Sequence, residues 1–401
     1  MRKDWEYKKL GEVATFNRGL TYSGKDEVDF SENIVLRSNN IDIDSNTLNL
    51  NELKYISDEI IIPKDKRLKR NSIFICMSNG SKQHLGKVAF IDKDYSYAFG
   101  GFMGLISPEE KSLIPKFLYY FLCSTKFKLF LTIIGNGANI NNIKFSDISK
   151  VNLPLPQKST QLSIVAELDK INELIQLKKQ QLKDYDQLAQ SIFYEMFGDP
   201  VENEKGWKVK KLGEMCSAIT KGTTPTSIGF NFEKEGVNFV KVEAFGSNDR
   251  VDKEKLSFIS EECHQNMLRS QLKENDILIC IAGATVGKLS IVDFSILPAN
   301  TNQACAIVRV KDKQVIFYSY LYGYLKYSYI QLVVNNLKKG VAQPNLSLGQ
   351  IRDFNIKVPP LPLQQQFAAR IEAIERQKQQ VSETIKDLET LLASRMQYWF
   401  D

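Results

Sequence analysis

Side chains of reactive type are common in this 401-residue chain, but the spacings that would assemble them into a catalytic site are wanting, whereas groups that donate and accept hydrogen bonds are plentiful. Gly283-Ala284-Thr285-Val286-Gly287-Lys288-Leu289 has the glycines and lysine of a phosphate-cradling loop. Such a loop needs four residues between its glycines and a Ser or Thr after the lysine for magnesium; here three intervene and Leu289 follows. The first half of the chain keeps only Gly86-Lys87 at the matching place, so the segment reads as a hairpin between two strands. Phe99-Gly100-Gly101-Phe102-Met103-Gly104 lacks the spacing of a dinucleotide fingerprint. Val358 precedes Pro359-Pro360 where an amino-methyltransferase element would have Asn or Asp. His84 and His264 stand alone, and no carboxylate cluster suggests a nuclease metal site. The cysteines, Cys76, Cys123, Cys216, Cys263, Cys280 and Cys305, form no Cys-x-x-Cys pair, and read as buried, reduced thiols rather than a zinc site or disulfide framework. The expectation is a chain without catalytic equipment, metal or cofactor of its own.

What the sequence offers instead are polar loops placed similarly in its two halves. Lysine and arginine neutralise phosphates, while Asn, Gln and Arg make paired hydrogen bonds to adenine and guanine edges in the major groove. The candidates for DNA contact in the first half are Arg18, Arg37, Asn79, Lys82, Lys87, Asn139 and Asn142. Those in the second are Lys221, Thr223, Thr224, Lys241, Thr285, Lys288, Asn302, Gln303, Lys338, Lys339, Gln343 and Asn345. Each of these residues, taken singly, also fits a plain polar surface turn.

The net charge of +6 is modest for a nucleic-acid binder, but its distribution is informative. Residues 1–156 and 198–361 each carry a net +4, and residues 157–197 and 362–401 each carry −1. With 43% hydrophobic and 25% charged residues the composition is that of a soluble globular protein. The apolar run from Phe117 to Ile134 is broken by Lys126 and Lys128, and the first residues hold no apolar leader, so a cytoplasmic protein without a membrane span is expected.

These features must be positioned by elements that occur twice. Trp5 with Lys9-Leu10-Gly11-Glu12 recurs as Trp207 with Lys211-Leu212-Gly213-Glu214, and Arg18-Gly19-Leu20-Thr21 as Lys221-Gly222-Thr223-Thr224. Leu36-Arg37 recurs as Val240-Lys241, Asn71 to Cys76 as Asn275 to Cys280, and Leu85-Gly86-Lys87-Val88 as Val286-Gly287-Lys288-Leu289. Gly137 to Ile148 matches Gly340 to Ile351, and Val151-Asn152-Leu153-Pro154 matches Ile356-Lys357-Val358-Pro359. All offsets lie between 201 and 205 in unchanged order, which marks an internal duplication. Ile73 to Met77, Val88 to Ile91, Ile277 to Ile281 and Ala304 to Val308 read as short buried strands, and Phe117 to Phe130 and Phe317 to Val333 as helices, giving an α+β block in each half.

Each block ends in a Pro-rich stop followed by a glutamine-rich helix start. In the first helix Leu168, Ile171, Ile175, Lys178, Leu182, Tyr185, Ala189, Ile192 and Met196 keep a 3-4-3-4 spacing. In the second, Ile371, Ile374, Lys378, Val381, Ile385, Leu388, Leu392, Arg395 and Trp399 repeat it at an offset of 203. A sustained 3.5-residue period predicts a coiled-coil seam, with the two helices paired antiparallel and the two lysines reaching sideways to water. A seam of about 30 residues would span roughly 45 Å. The competing expectation is a helix lying on its own block, for which so narrow a stripe is a poor fit.

The whole chain resembles the specificity subunit of type I restriction-modification systems. The resemblance rests on the Trp-x4-Leu-Gly-Glu start of each half, the Gly222 to Pro225 turn, the Ala282 to Lys288 hairpin, Gln343-Pro344-Asn345-Leu346, and the passage from Pro-Leu-Pro into a Gln-rich helix. The first half departs at Leu20-Thr21-Tyr22 and Asn139-Ile140-Asn141. The resemblance implies two tandem α/β target recognition domains, 1–156 and 198–361, separated by spacer helices 157–197 and 362–401 that form an antiparallel coiled coil. It further implies double-stranded DNA read as a bipartite site and docking of two modification (methyltransferase) subunits, with restriction subunits in the full complex. S-adenosylmethionine, and ATP with magnesium, would enter through those partners. A specificity subunit whose partner fuses methyltransferase and nuclease, or a stand-alone coiled-coil DNA-binding scaffold, would present much the same sequence.

Overall fold

The computed structural model describes residues 5–81, 84–135, 142–199, 202–246, 249–329, 332–333 and 345–401. Lys82, Asn139, Lys338, Lys339 and Gln343 lie outside the described residues. The chain divides into two units, Met1–Leu177 with Ile385–Asp401, and Lys178–Thr384. Each unit therefore holds one repeat together with part of each long helix.

In the first unit the strands are β1 (Glu6–Lys9), β2 (Ala14–Arg18), β3 (Glu27–Val28), β4 (Asn33–Leu36), β5 (Lys54–Ile56), β6 (Ser72–Cys76), β7 (Val88–Ile91), β8 (Ala98–Phe99), β9 (Met103–Pro108) and β10 (Asn152–Leu155). Between β9 and β10 lie helices α1 (Pro115–Cys123), α2 (Thr125–Gly135) and α3 (Phe145–Ile148), and α4 (Lys158–Phe197) follows. The main sheet has the order β2-β9-β6-β7, all antiparallel. A second has the order β3-β5-β4-β8, in which β4 and β8 run parallel, and β1 pairs with β10. The central strand β6 is buried along its whole length, as the apolar run Ile73 to Cys76 predicts, and Ser72 at its start is buried with it. Its alternation divides the core: Ile73 and Ile75 pack with Phe117, Phe121 and Leu168 on the helical side, and Phe74 and Cys76 with Leu36 and Phe99 on the other.

The second unit repeats this topology. Its strands are β11 (Lys208–Lys211), β12 (Cys216–Lys221), β13 (Val237–Val240), β14 (Ser257–Ile259), β15 (Ile277–Cys280), β16 (Leu289–Ile291), β17 (Ala299–Thr301), β18 (Cys305–Val310) and β19 (Asn355–Val358). Its helices are α5 (Leu212–Met215), α6 (Glu261–Asn266), α7 (Tyr318–Tyr324), α8 (Leu348–Arg352) and α9 (Leu361–Phe400). The sheets are β12-β18-β15-β16, β14-β13-β17 with β13 parallel to β17, and β11-β19. Asn71 and Asn275, with φ of 62° and 68°, both adopt the left-handed turn that launches β6 and β15, a conformation Asn tolerates better than most residues. The glycine-lysine segment is the β15–β16 hairpin that its spacing predicts, with Gly283 and Gly287 both at φ 90°.

Both long helices form over 40 residues. Every seam position is buried or half-buried: Leu168, Ile171, Ile175, Met196, Ile374, Val381 and Ile385 are buried, and Leu182, Tyr185, Ile192, Ile371, Leu388, Leu392 and Trp399 partly so. Within the second unit the helices run antiparallel, since Lys378 meets Asp186 while Phe367 meets Phe193 and Phe197 further along α4. In the first unit Glu167 takes hydrogen bonds from Arg395 and from Trp399 Nε1, the latter at 3.0 Å.

Two features of the helices differ from the sequence expectation. Lys378 does not reach to water: it is 6% exposed, and its ammonium bonds Asp186 Oδ1 at 2.9 Å and Glu375 Oε1 at 3.0 Å. Burial pulls its pKa down, but hydrogen bonds to Asp186 and Glu375 outweigh that and leave it raised. Second, the helices are not bare spacers. Ile164, Val165 and Leu168 enter the core of the first unit, where Leu392, Met396, Trp399 and Phe400 join them. Phe193, Met196, Phe197 and Phe367 belong to the core of the second. The apolar face widens where a helix meets a block, which the strict 3-4 spacing did not reveal.

Candidate nucleic-acid interface

In the first unit the ends of β2, β4, β6 and β8 converge around a cleft of about 810 Å³. Its lining includes Arg18, Tyr22, Arg37, Asn79, Gly100 and Phe102. Backbone packing fixes the rim. A Cβ on Gly19 would sit 2.1 Å from the Gly100 carbonyl oxygen, so only glycine lets β2 pass the β8–β9 turn. Arg18 Nε donates to Gly101 O at 3.1 Å, and Lys66 Nζ to Arg18 O at 2.8 Å. The turn bearing Arg37 is held by the buried Asn40, whose Oδ1 accepts from Arg37 N at 2.8 Å while its Nδ2 donates to Asn49 O and Glu52 O. Asn79 Nδ2 donates to Ser38 Oγ at 3.0 Å, and Asn142 bridges to Ser78. The structure thus brings Arg18, Arg37, Asn79 and Asn142 to one rim.

The corresponding rim of the second unit is built on the same plan. A Cβ on Gly222 would lie 2.0 Å from Thr301 O. Thr223 N donates to Thr301 O at 3.0 Å, and the Thr224 hydroxyl hydrogen-bonds the Gln303 side chain. Asn302 uses its Oδ1 on Ala304 N at 3.1 Å, shaping its own turn. Lys221 ends β12 in an exposed position. Lys241 follows β13, with its ammonium 3.9 Å from the centre of the Phe232 ring. Asn345 bridges to Ala282, and the Thr285 hydroxyl lies 3.5 Å from Cys280 Sγ.

Lys87 and Lys288 are used differently. Lys87 Nζ donates to Ile41 O at 2.8 Å and Lys288 Nζ to Phe245 O at 2.6 Å, each tying its hairpin to the loop beyond β4 or β13. Burial pushes the Lys87 ammonium below its ordinary pKa. Two rim residues escaped the sequence reading. Phe102 is 69% exposed, with its carbonyl fixed by Met77 N at 2.9 Å and Ser78 N at 3.1 Å, and Tyr22 lines the cleft. A lone Phe beside two glycines gives no periodic signal. Among the described residues no three His, Cys, Asp or Glu side chains group as metal ligands. No single described helix is long and apolar enough to cross a membrane; α1 and α2 meet at a bend of 62°, and the apolar residues of α1 lie in the core.

A module that presents polar and cationic loops at one end of a small sheet, twice in a chain, is a recognition module. Residues 2–184 and 204–390 each match the model of the type I restriction modification DNA specificity domain. The MjaIX specificity subunit of Methanocaldococcus jannaschii is 25% identical over 393 residues, 93% of this chain and 87% of that one. The putative MjaX specificity subunit of the same organism is 24% identical over 416 residues, covering 97% and 93% of the two chains. Among solved structures, a chain of a type I R-M system superposes with a TM-score of 0.59 at 20% identity, covering 100% of this chain and 98% of that one. The S subunit from M. genitalium gives 0.53 at 14% identity, covering 98% and 95%. The structural likenesses speak to the fold. The chain belongs to the type I restriction modification DNA specificity family, and it carries the family domain twice. It is the specificity subunit of a type I restriction-modification system, and its function is recognition of DNA sequence. Such subunits act with DNA and with methyltransferase and restriction subunits.

Proposed function

We propose that each unit reads one half of a bipartite site on double-stranded DNA through its rim, and that the long helices carry two methyltransferase subunits. The observation that carries this reading is one topology used twice with different rims. Arg18 is answered by Lys221, Arg37 by Lys241, and Leu20-Thr21-Tyr22 by Thr223-Thr224-Pro225. The four cations suit phosphate contacts that position the duplex. Asn79, Asn142, Gln303 and Asn345 are suited to base edges, with Thr223 and Thr224 beside them. The outward faces of the helices behave oppositely. Lys183, Asp184, Leu188 and Ser191 on α4 recur as Lys386, Asp387, Leu391 and Ser394 on α9, all exposed and offset by 203. Leu188 and Leu391 are 46% and 45% exposed. The same surface offered twice suits two copies of one partner.

In this reading the chain supplies recognition and no reactive group. S-adenosylmethionine belongs to the methyltransferase subunits, ATP and magnesium to restriction subunits in the full complex, and the assembly works in the cytoplasm. The test is a genome-wide map of methylated adenine with and without this chain. The expected result is a motif of two short specific blocks around an unread gap, lost when the chain is deleted. A contiguous motif, or one that survives deletion, would sink the reading.

A further inference from the structure

The first turns of α4 and α9 each bury a glutamine completely, Gln161 and Gln364, again 203 apart. Gln161 Oε1 accepts from Ile114 N at 2.8 Å, and its Nε2 donates to Ser112 O at 3.0 Å and Pro156 O at 2.9 Å. Gln364 repeats the set: Oε1 accepts from Phe317 N at 2.8 Å, and Nε2 donates to Val315 O at 3.2 Å and Pro359 O at 2.8 Å. Ile114 and Phe317 are the N-caps of α1 and α7, neither of which has a side-chain cap. One amide in each unit thus joins three pieces of backbone: the root of the long helix, the proline stop before it, and the loop that carries the main sheet into the first domain helix.

Ile164 and Val165 follow Gln161 by one turn and Phe367 follows Gln364 by one, and all three lie in the apolar cores, so each amide sits at the margin of an apolar interior. A buried amide is costly unless fully bonded, and a fully bonded one admits a single geometry. We propose that Gln161 and Gln364 are positioning residues that lock the direction of each long helix to its recognition unit, and thereby set the gap length the subunit accepts between half-sites. This rests on the two-part reading above.

The test uses the full chain in complex with its methyltransferase subunits, and three duplexes carrying the mapped site with its natural gap, one base pair fewer and one more. Wild type binds the natural gap best. Gln161→Met and Gln364→Met, singly, lower the ratio of affinities between natural and altered gaps by about tenfold, a change of about 1.4 kcal/mol. A purely structural role would weaken binding to all three duplexes by one factor and leave that ratio intact, which would overturn the proposal. Gln161→Asn keeps the uncharged amide on a stem one methylene shorter, drawing it away from its three partners. It lowers the same ratio, and it decides the matter if a Met variant fails to fold. Wild type that binds all three duplexes equally would refute the bipartite reading itself rather than the clamp alone.

Discussion

Replacing Phe400 with alanine should destabilise the first repeat, although that residue lies in the helix that follows the second. Phe400 is buried, with its ring 5.3 Å from that of Phe117 and 6.0 Å from that of Phe121, both on α1. Beside it Lys126 N donates to Asp401 Oδ1 at 2.9 Å, so a carboxylate sits over the first turn of α2. Deleting a buried phenyl costs about 3–5 kcal/mol, and a site at a helix end, where neighbours can close in, belongs at the low end of that range. For a cooperative unit of some 150–250 residues, about 3 kcal/mol lowers Tm by roughly 6–12 °C. Hydrogen exchange on the full chain should show faster exchange in residues 113–123 and 153–168 and little change in residues 277–325. Loss of protection in the second repeat instead, or no change in either, would refute the interleaved arrangement of the cores.

Asp276 is buried at the start of β15, with Oδ1 and Oδ2 bonded by Arg309 Nε at 2.8 Å and Nη2 at 2.7 Å; Asp276→Ala should cost about 3–5 kcal/mol in urea unfolding. The first repeat has Ser72 and Ser107 at these places, so the double replacement by serine should recover much of that loss, and a double variant no better than the single would contradict the pairwise account. Hydrogen bonds from Arg395, then from Trp399, hold the Glu167 carboxyl below the ordinary carboxylate range. A depressed folded-state pKa adds stability above the unfolded value that is lost as pH falls through the folded one. Trp399 fluorescence should therefore report undocking only in acid, and Glu167→Gln should flatten that dependence; an unaltered acid transition would reject the contact. Gly19→Ala or Gly222→Ala forces β2 or β12 off its neighbouring turn, so each should impair one half-site in a binding assay and spare the other. Exchanging residues 198–361 for the block of a relative should change one half of the methylated motif; a change in both halves would contradict independent readout.

The duplication and the helices were legible because their signals are periodic. A repeated Asn that takes positive φ, a strand run such as Ile73 to Cys76, and a 3-4 spacing all state a geometry locally. Lys378 was misjudged because a lysine on a seam carries no mark of the acids that will surround it; Asp186 is 192 residues away and reaches it only after the helices pair. Lys87 and Lys288 illustrate the same limit at the interface, since a lysine beside a turn glycine carries no mark of the backbone carbonyl it will bond. Gln161 was visible only as one letter in a glutamine-rich helix start. Its neighbours Gln157 and, in the other repeat, Gln365 and Gln366 are exposed, and composition cannot tell the clamp from the coat.

Interleaving gives the first unit a core that its own repeat does not complete. The ion pair of Glu167 with Arg395 spans 228 residues, and the bond from Lys126 to Asp401 spans 275. Contacts at such separations carry the full entropy of closing the intervening loop and form late. The main sheet of the first repeat, its three pairings all made between strands less than 100 residues apart, can assemble first, leaving the α1 face of Phe117 and Phe121 open until α9 arrives. That face cannot be covered by polar redesign without losing the docking of α9, because the same phenyl rings serve both. The seam positions therefore answer to two demands at once, pairing helix with helix and sealing a domain. Each seam position answers to its own pair of partners, which is a physical reason why the spacing of the seam repeats at an unvarying offset of 203 while its residues do not, Ile171 and Ile374 being the one identical pair of the nine.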